Sequence, residues 1–300
     1  MDVFAFGEIL WDVYPGEKFL GGAPFNFAAH LSHLGNKVFL ITAIGNDQLG
    51  NEAMKSIIKL NLDNKFVSVF DYPTGICQVT NSNDGIPKYD LCTHRAYDYI
   101  ELNNEQYKKI KSVSDKMLYF GSLAQRNECS RKTIKKLISE YNWNEILFDI
   151  NIRQNYYTKE VIEDSLEACT ILKISQEEFP VFADLCICDF DLSDSSNFEK
   201  ACRFLSHTYD IETIILTLGK DGAMVYVKNT DKGMFSKQPK NKVVSTVGAG
   251  DSFYAAYVNA LIKGKSVKEA LDNAIELSQF VVSHIEAVPE YTKELLEILK

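Results

Sequence analysis

Six short apolar runs, at residues 3–6, 38–41, 117–120, 145–148, 170–174 and 213–218, punctuate this chain, and helical spacing fills most of the gaps between them. Runs this short, rich in β-branched and aromatic side chains, read as buried strands. Strands alternating with helices imply an α/β fold: a mainly parallel sheet with helices on both faces, three layers in all. Ligands in such sheets sit beyond the carboxyl ends of the strands, so the residues just after each run carry the functional information. Here they are Gly7-Glu8 with Asp12, Gly45-Asn46-Asp47, Gly121-Ser122, Asp149-Ile150-Asn151-Ile152-Arg153, Ser175 with Glu178, and Gly219. Glycine and polar residues thus gather on one rim.

One stretch breaks the alternation. Over about 74–102 the pattern turns strand-like, through Ile76, Gln78 and Thr80, the hairpin signal Asn83-Asp84-Gly85, then Tyr89, Leu91 and Thr93. With residues 13–20 it predicts a small sheet apart from the main layer, a β lid able to exclude water from a reactive phosphate. The alternative is a hairpin that extends the main sheet's edge.

At 300 residues and 46% hydrophobic, the chain can bury a core large enough for one sizeable domain over 1–300. Its 32 basic and 41 acidic residues leave a net charge of −9, which disfavours nucleic acid and anionic membranes as partners. No apolar run reaches the roughly 20 residues of a membrane helix, and the first residues read as a strand, so the cytoplasm is the expected location. The seven cysteines are scattered without paired CxxC motifs, and ordinary reduced thiols explain them, Cys186-x-Cys188 included, better than zinc or disulfides.

Two glycine-rich turns precede helical patterns. In Thr246-Val247-Gly248-Ala249-Gly250-Asp251-Ser252-Phe253, the small residues let an anion approach backbone amides at the positive end of a helix, with Asp251 in its first turn. The plainer reading is a glycine loop with Asp251 as a helix cap. Gly21-Gly22-Ala23-Pro24-Phe25-Asn26 is the second; its glycines permit close approach or a hinge, and Asn26 offers a donor and an acceptor to hydroxyl groups, or merely caps backbone.

Taken together, Gly21-Gly22 to Asn26, Gly45-Asn46-Asp47 with Gly50, and the run from Thr246 to Phe253 resemble the two signatures of the ribokinase-like (PfkB) carbohydrate kinases, in the right order along nearly the whole chain. Gly7-Glu8-Ile9-Leu10-Trp11-Asp12, Ser122-Leu123-Ala124-Gln125-Arg126 and Asp149-Ile150-Asn151-Ile152-Arg153-Gln154 look most similar to bacterial fructokinases. The resemblance implies Asp251 as catalytic base, with the amides of Gly248, Ala249 and Gly250 stabilising the transferred phosphoryl group. It implies Asp12, Gly21, Gly22 and Asn26 around the sugar. Arg153 would steady substrate oxygens or phosphate, against the alternative of an ion pair with Asp149 or a neighbour. Thr217, Gly219, Gly222 and Asn273 would flank the nucleotide, although core packing explains the helix of Asn273 better.

ATP and magnesium are the implied cofactors, with Glu178 reaching the metal through water. Two positions depart from the family. Ser245 stands where an aspartate helps to hold a monovalent cation, which makes that cation doubtful, and Ser175 replaces an asparagine three residues before Glu178. The expected activity is phosphorylation of fructose to fructose 6-phosphate. The alternatives are a kinase for another sugar or nucleoside, or a sugar-binding regulatory protein of low activity. Relatives with a β lid pair through it, so a homodimer across the lid is the expected assembly.

Overall fold

Each apolar run becomes a strand because its side chains can be buried on both faces, and each polar periodic stretch becomes a helix laid over one of those faces. The computed structural model describes residues 1–81, 87–186, 190–239 and 242–300. The hairpin signal Asn83-Asp84-Gly85 and Cys188 lie outside the described residues. The first half contains β1 (Asp2–Phe6), β2 (Leu10–Tyr14), β3 (Glu17–Gly21), α1 (Ala23–His33), β4 (Val38–Gly45), α2 (Gln48–Lys59), β5 (Val67–Phe70), β6 (Gly75–Asn81), β7 (Pro87–Leu91), α3 (Asn104–Ser112), β8 (Lys116–Gly121), α4 (Glu128–Glu140) and β9 (Glu145–Asp149). The second half contains α5 (Lys159–Ala168), β10 (Ile171–Ser175), α6 (Phe179–Cys186), α7 (Phe198–Tyr209), β11 (Thr213–Thr217), β12 (Ala223–Val227), β13 (Lys232–Ser236), α8 (Ala249–Ile262), α9 (Val267–Val282) and α10 (Lys293–Ile298).

The main sheet runs β13-β12-β11-β10-β9-β8-β1-β4-β5. It is parallel from β11 to β5, and antiparallel only where β12 and β13 fold back at one edge. Two apolar cores cover its faces. Phe4, Phe6, Phe120 and Phe148 point into one, while Phe27, Tyr119, Tyr254 and Tyr257 fill the other, beneath α1, α8 and α9. Stacking of Phe27 on Tyr119, with ring centroids 3.9 Å apart, presses α1 onto the strand that carries Tyr119.

A second sheet, ordered β3-β2-β6-β7, stands apart from the first. Its first hairpin is longer than the expected 13–20, because Leu10 to Tyr14 pair with Gly21 to Glu17 and place Asp12 within a strand. The later strand pattern ends sooner than residue 102. Past Leu91 the carbonyls of Leu91 and Cys92 accept from the Arg126 guanidinium, at 3.3 and 2.7 Å, which takes the chain out of the ladder. Residues Ala96–Tyr99 then form a single 3₁₀ turn in which Asp98 accepts from the Arg95 backbone N–H at 3.0 Å. Thr93 accordingly belongs to no strand. Sequence reading also missed three strands of the main sheet: β5, a four-residue edge, the buried β12, and the half-exposed edge strand β13.

Candidate active site

Two helix starts converge on the rim. Gly22 precedes α1 with φ of +109°, and a Cβ there would lie 2.6 Å from the Glu8 carbonyl, so only glycine lets the strand end and the helix approach this closely. Gly248 precedes α8 in the left-handed conformation, φ +78°, and sets Asp251 in the first turn. Asn26, in the first turn of α1, donates from Nδ2 to Asp251 Oδ2 at 2.8 Å. This contact joins the two glycine turns into one site. Asn26 Oδ1 is buried and has no protein partner, which leaves an acceptor for a ligand hydroxyl.

Carboxylates crowd the same place. Glu8 is 2% exposed, and burial pushes its carboxyl up to about 7, with the nearby Asp251 charge adding to the rise and Arg153 opposing it. Asp12 is pushed up to about 6, again by burial, against the Cys77 thiol and Arg153. Burial likewise raises Asp251, while its bond from Asn26 and the charges of Lys173 and Arg153 pull it down. Arg153 is exposed, and its charge is felt by Glu8, Asp12 and Asp251 alike. It makes no ion pair with Asp149, whose partner is Lys173 Nζ at 2.8 Å.

Lys173 is the residue that sequence reading missed. It sits inside an apolar strand, 6% exposed, between Asp149 and the glycine turn, and a Cβ on Gly250 would be 3.3 Å from its ammonium. A lysine within a buried central strand is itself the available signal, since such a cation persists only when paired. Asp149 also accepts from the Tyr119 hydroxyl at 3.3 Å, and burial raises its carboxyl to about 6 in spite of Lys173.

The remaining expected residues lie along the same rim. Glu178 accepts the amides of Ile152 at 2.8 Å and Ser175 at 2.9 Å, fastening the loop that carries Arg153 to the end of β10. Among the described residues no group of three or more acidic, histidine or cysteine side chains is placed to hold a metal ion. Thr217 pairs in register with Ser175, and Gly219 and Gly222 form the turn into β12, one strand beyond β10. Asn273 lies on α9, 8% exposed, with its Nδ2 unpartnered beside the packed Ala274 and Leu277. Helix α9 packs against α8, so this free donor is on the helix next to the glycine turn. Ser245 accepts the Val247 amide at 3.2 Å and carries no charge.

An ATP-dependent 6-phosphofructokinase of Thermoanaerobacterium thermosaccharolyticum is 28% identical, over 96% of this chain and 89% of the relative. The aminoimidazole riboside kinase of Salmonella enterica, solved with aminoimidazole riboside and an ATP analog, matches with a TM-score of 0.81 at 20% identity over all of both chains. A Vibrio cholerae O395 fructokinase double mutant with bound fructose, ADP and potassium matches with the same TM-score at 19% identity, over 100% of this chain and 98% of that one. Both neighbours share the ribokinase-like α/β arrangement of large sheet and flanking helices. A profile of the pfkB family carbohydrate kinases matches residues 6–293, a span that takes in both glycine turns and the strand ends between them; the chain belongs to that family.

Proposed function

We propose that this carbohydrate kinase transfers the γ-phosphoryl group of ATP to a primary hydroxyl of a neutral sugar, D-fructose giving fructose 6-phosphate. The hydrogen bond from Asn26 to Asp251 carries the reading, because it aims the sugar-side helix start and the phosphate-side helix start at one point. Asp12, Asn26 and the backbone at Gly21 and Gly22 hold the sugar hydroxyls, with Arg153 over the rim. The acceptor oxygen attacks the γ-phosphorus as its proton passes to Asp251; the new P–O bond forms, the bond to the β,γ-bridging oxygen breaks, and ADP leaves. A carboxylate raised by burial is better matched to this proton than one in water. The amides of Gly248, Ala249 and Gly250 stabilise the charge that builds on the phosphoryl oxygens.

Thr217, Gly219, Gly222 and Asn273 flank the nucleotide, with the Asn273 Nδ2 free to donate to the base. Magnesium neutralises phosphate charge when bound. Glu178, whose oxygens are already engaged by two amides, would hold it through water, and this suits an ion that keeps most of its hydration. With Ser245 neutral, we assign no monovalent cation. The small sheet serves as the lid that excludes water, and it is also the surface across which two copies would pair.

ADP release measured across fructose, fructose 6-phosphate, other hexoses, ribose, sugar acids and nucleosides, with and without potassium, tests the substrate. Turnover confined to a substrate other than fructose refutes that assignment. Asp251→Asn keeps an acceptor for Asn26, so sugar binding should persist while turnover falls by about 10²- to 10⁴-fold. Turnover retained in that variant would remove Asp251 from its role.

A further inference from the structure

His30 lies one helical turn after Asn26 on α1 and is fully buried. Its Nε2 is 3.0 Å from the Ala287 carbonyl oxygen, and its Nδ1 is 2.6 Å from the Tyr291 hydroxyl. A carbonyl has no proton to give, so Nε2 bears the hydrogen and donates to Ala287; Nδ1 is then the acceptor, and Tyr291 donates to it. Burial, with His33 close by, lowers the ring to about 3, so it stays neutral and this direction of donation holds throughout the neutral range.

Ala287 is also the wall behind the glycine turn. A Cβ added to Gly248 would lie 2.7 Å from the Ala287 carbonyl oxygen and 2.9 Å from its Cα. The oxygen that His30 grips is therefore the atom against which Gly248 rests. One face of α1 holds both sides of the first turn of α8: Asn26 fixes the Asp251 carboxylate, and His30 fixes the backing of Gly248.

We propose that His30 is a positioning residue for phosphoryl transfer, setting the Gly248–Gly250 amides against Asp251 by way of the Ala287 carbonyl. The inference rests on the reading of that turn as the transfer site. His30→Gln places an amide nitrogen close to the position of Nε2 and keeps the donor to Ala287. His30→Asn reaches only as far as Nδ1, and His30→Phe keeps a ring beside Tyr291 without any donor. In the Asn and Phe variants kcat should fall about 10- to 100-fold while the sugar KM stays within about twofold, because the amides and the base lose register and the sugar contacts do not. His30→Gln should hold kcat within about threefold of the parent.

Melting temperatures taken first identify which variants are folded. Undiminished kcat in His30→Phe, or a loss in folded His30→Gln as deep as in His30→Phe, overturns the proposal. Should the Phe and Asn variants fail to fold, His30→Gln decides alone: retained kcat supports the contact, and a tenfold or greater loss at a native-like melting temperature overturns it. Asp251→Asn assayed alongside separates the two claims. An active Asp251→Asn enzyme defeats the site reading itself, whereas an inactive one beside an unimpaired His30→Phe defeats only the role of His30.

Discussion

Replacing Glu8 by glutamine should stabilise the protein, and by an amount that grows with pH. The carboxyl lies 2% exposed at the end of β1, with Oε2 lacking any protein partner, and burial lifts it from its ordinary 4.5 to about 7. Below about 4.5 the folded and unfolded chains both hold the proton, and the group adds no pH dependence. Between 4.5 and about 7 the unfolded chain releases a proton that the folded chain keeps, so stability falls as pH rises; above about 7 the penalty is constant. An elevation of this size corresponds to about 3 kcal/mol at pH 8. For a chain of this length that is about 5 °C in melting temperature. Glutamine preserves the shape and removes the ionisation. Calorimetric melting of both proteins from pH 5 to pH 8.5 should therefore show a gap that opens toward alkaline pH. A gap independent of pH, or a glutamine variant less stable at pH 8, would show that Glu8 is ionised and favourably held in the native state.

Gly248→Ala should damage both stability and turnover. Its backbone sits at φ +78°, which costs a residue with a Cβ about 1–2 kcal/mol, and the new atom would meet Ala287 backbone at 2.7 Å. Because the clash displaces the first turn of α8, kcat should drop about 100-fold, and wild-type turnover in a folded variant would contradict the proposed role of the turn. Arg126→Ala should cost about 3–5 kcal/mol in urea unfolding, since it strands the Asp98 carboxylate, 2% exposed and now paired at 2.7 Å. A cost below about 1 kcal/mol would mean that this buried pair contributes little.

The large sheet was legible because each of its central strands is a short apolar run bounded by glycine or a polar turn, and a strand buried on both faces needs no other signal. The glycine turns were legible for a different reason: backbone that must approach a helix start closely leaves a mark at Gly22 and Gly248 that no side chain can supply. What escaped reading depends on partners distant in the chain. Lys173 looks like an interruption of an apolar run until Asp149 is placed beside it. The strand pattern past Leu91 ends because Arg126, from a separate segment, takes its carbonyls. Strand β13 lies at the sheet's edge, half-exposed, where packing imposes little pattern, whereas β12 beside it is a buried apolar run, Ala223–Val227, that follows β11 so closely that it was passed over. His30 reads as a polar oddity on an apolar helix, since Ala287 and Tyr291 lie in a stretch without any recognisable period.

Asn26 and Asp251 are 225 positions apart. On the proposed reading, a nascent chain can complete the first glycine turn early in synthesis and still lack the transfer site until α8 docks. Molecules clipped ahead of α8 should then fail to turn over. The same span makes specific activity a faithful gauge of how much of a preparation has closed its ends together.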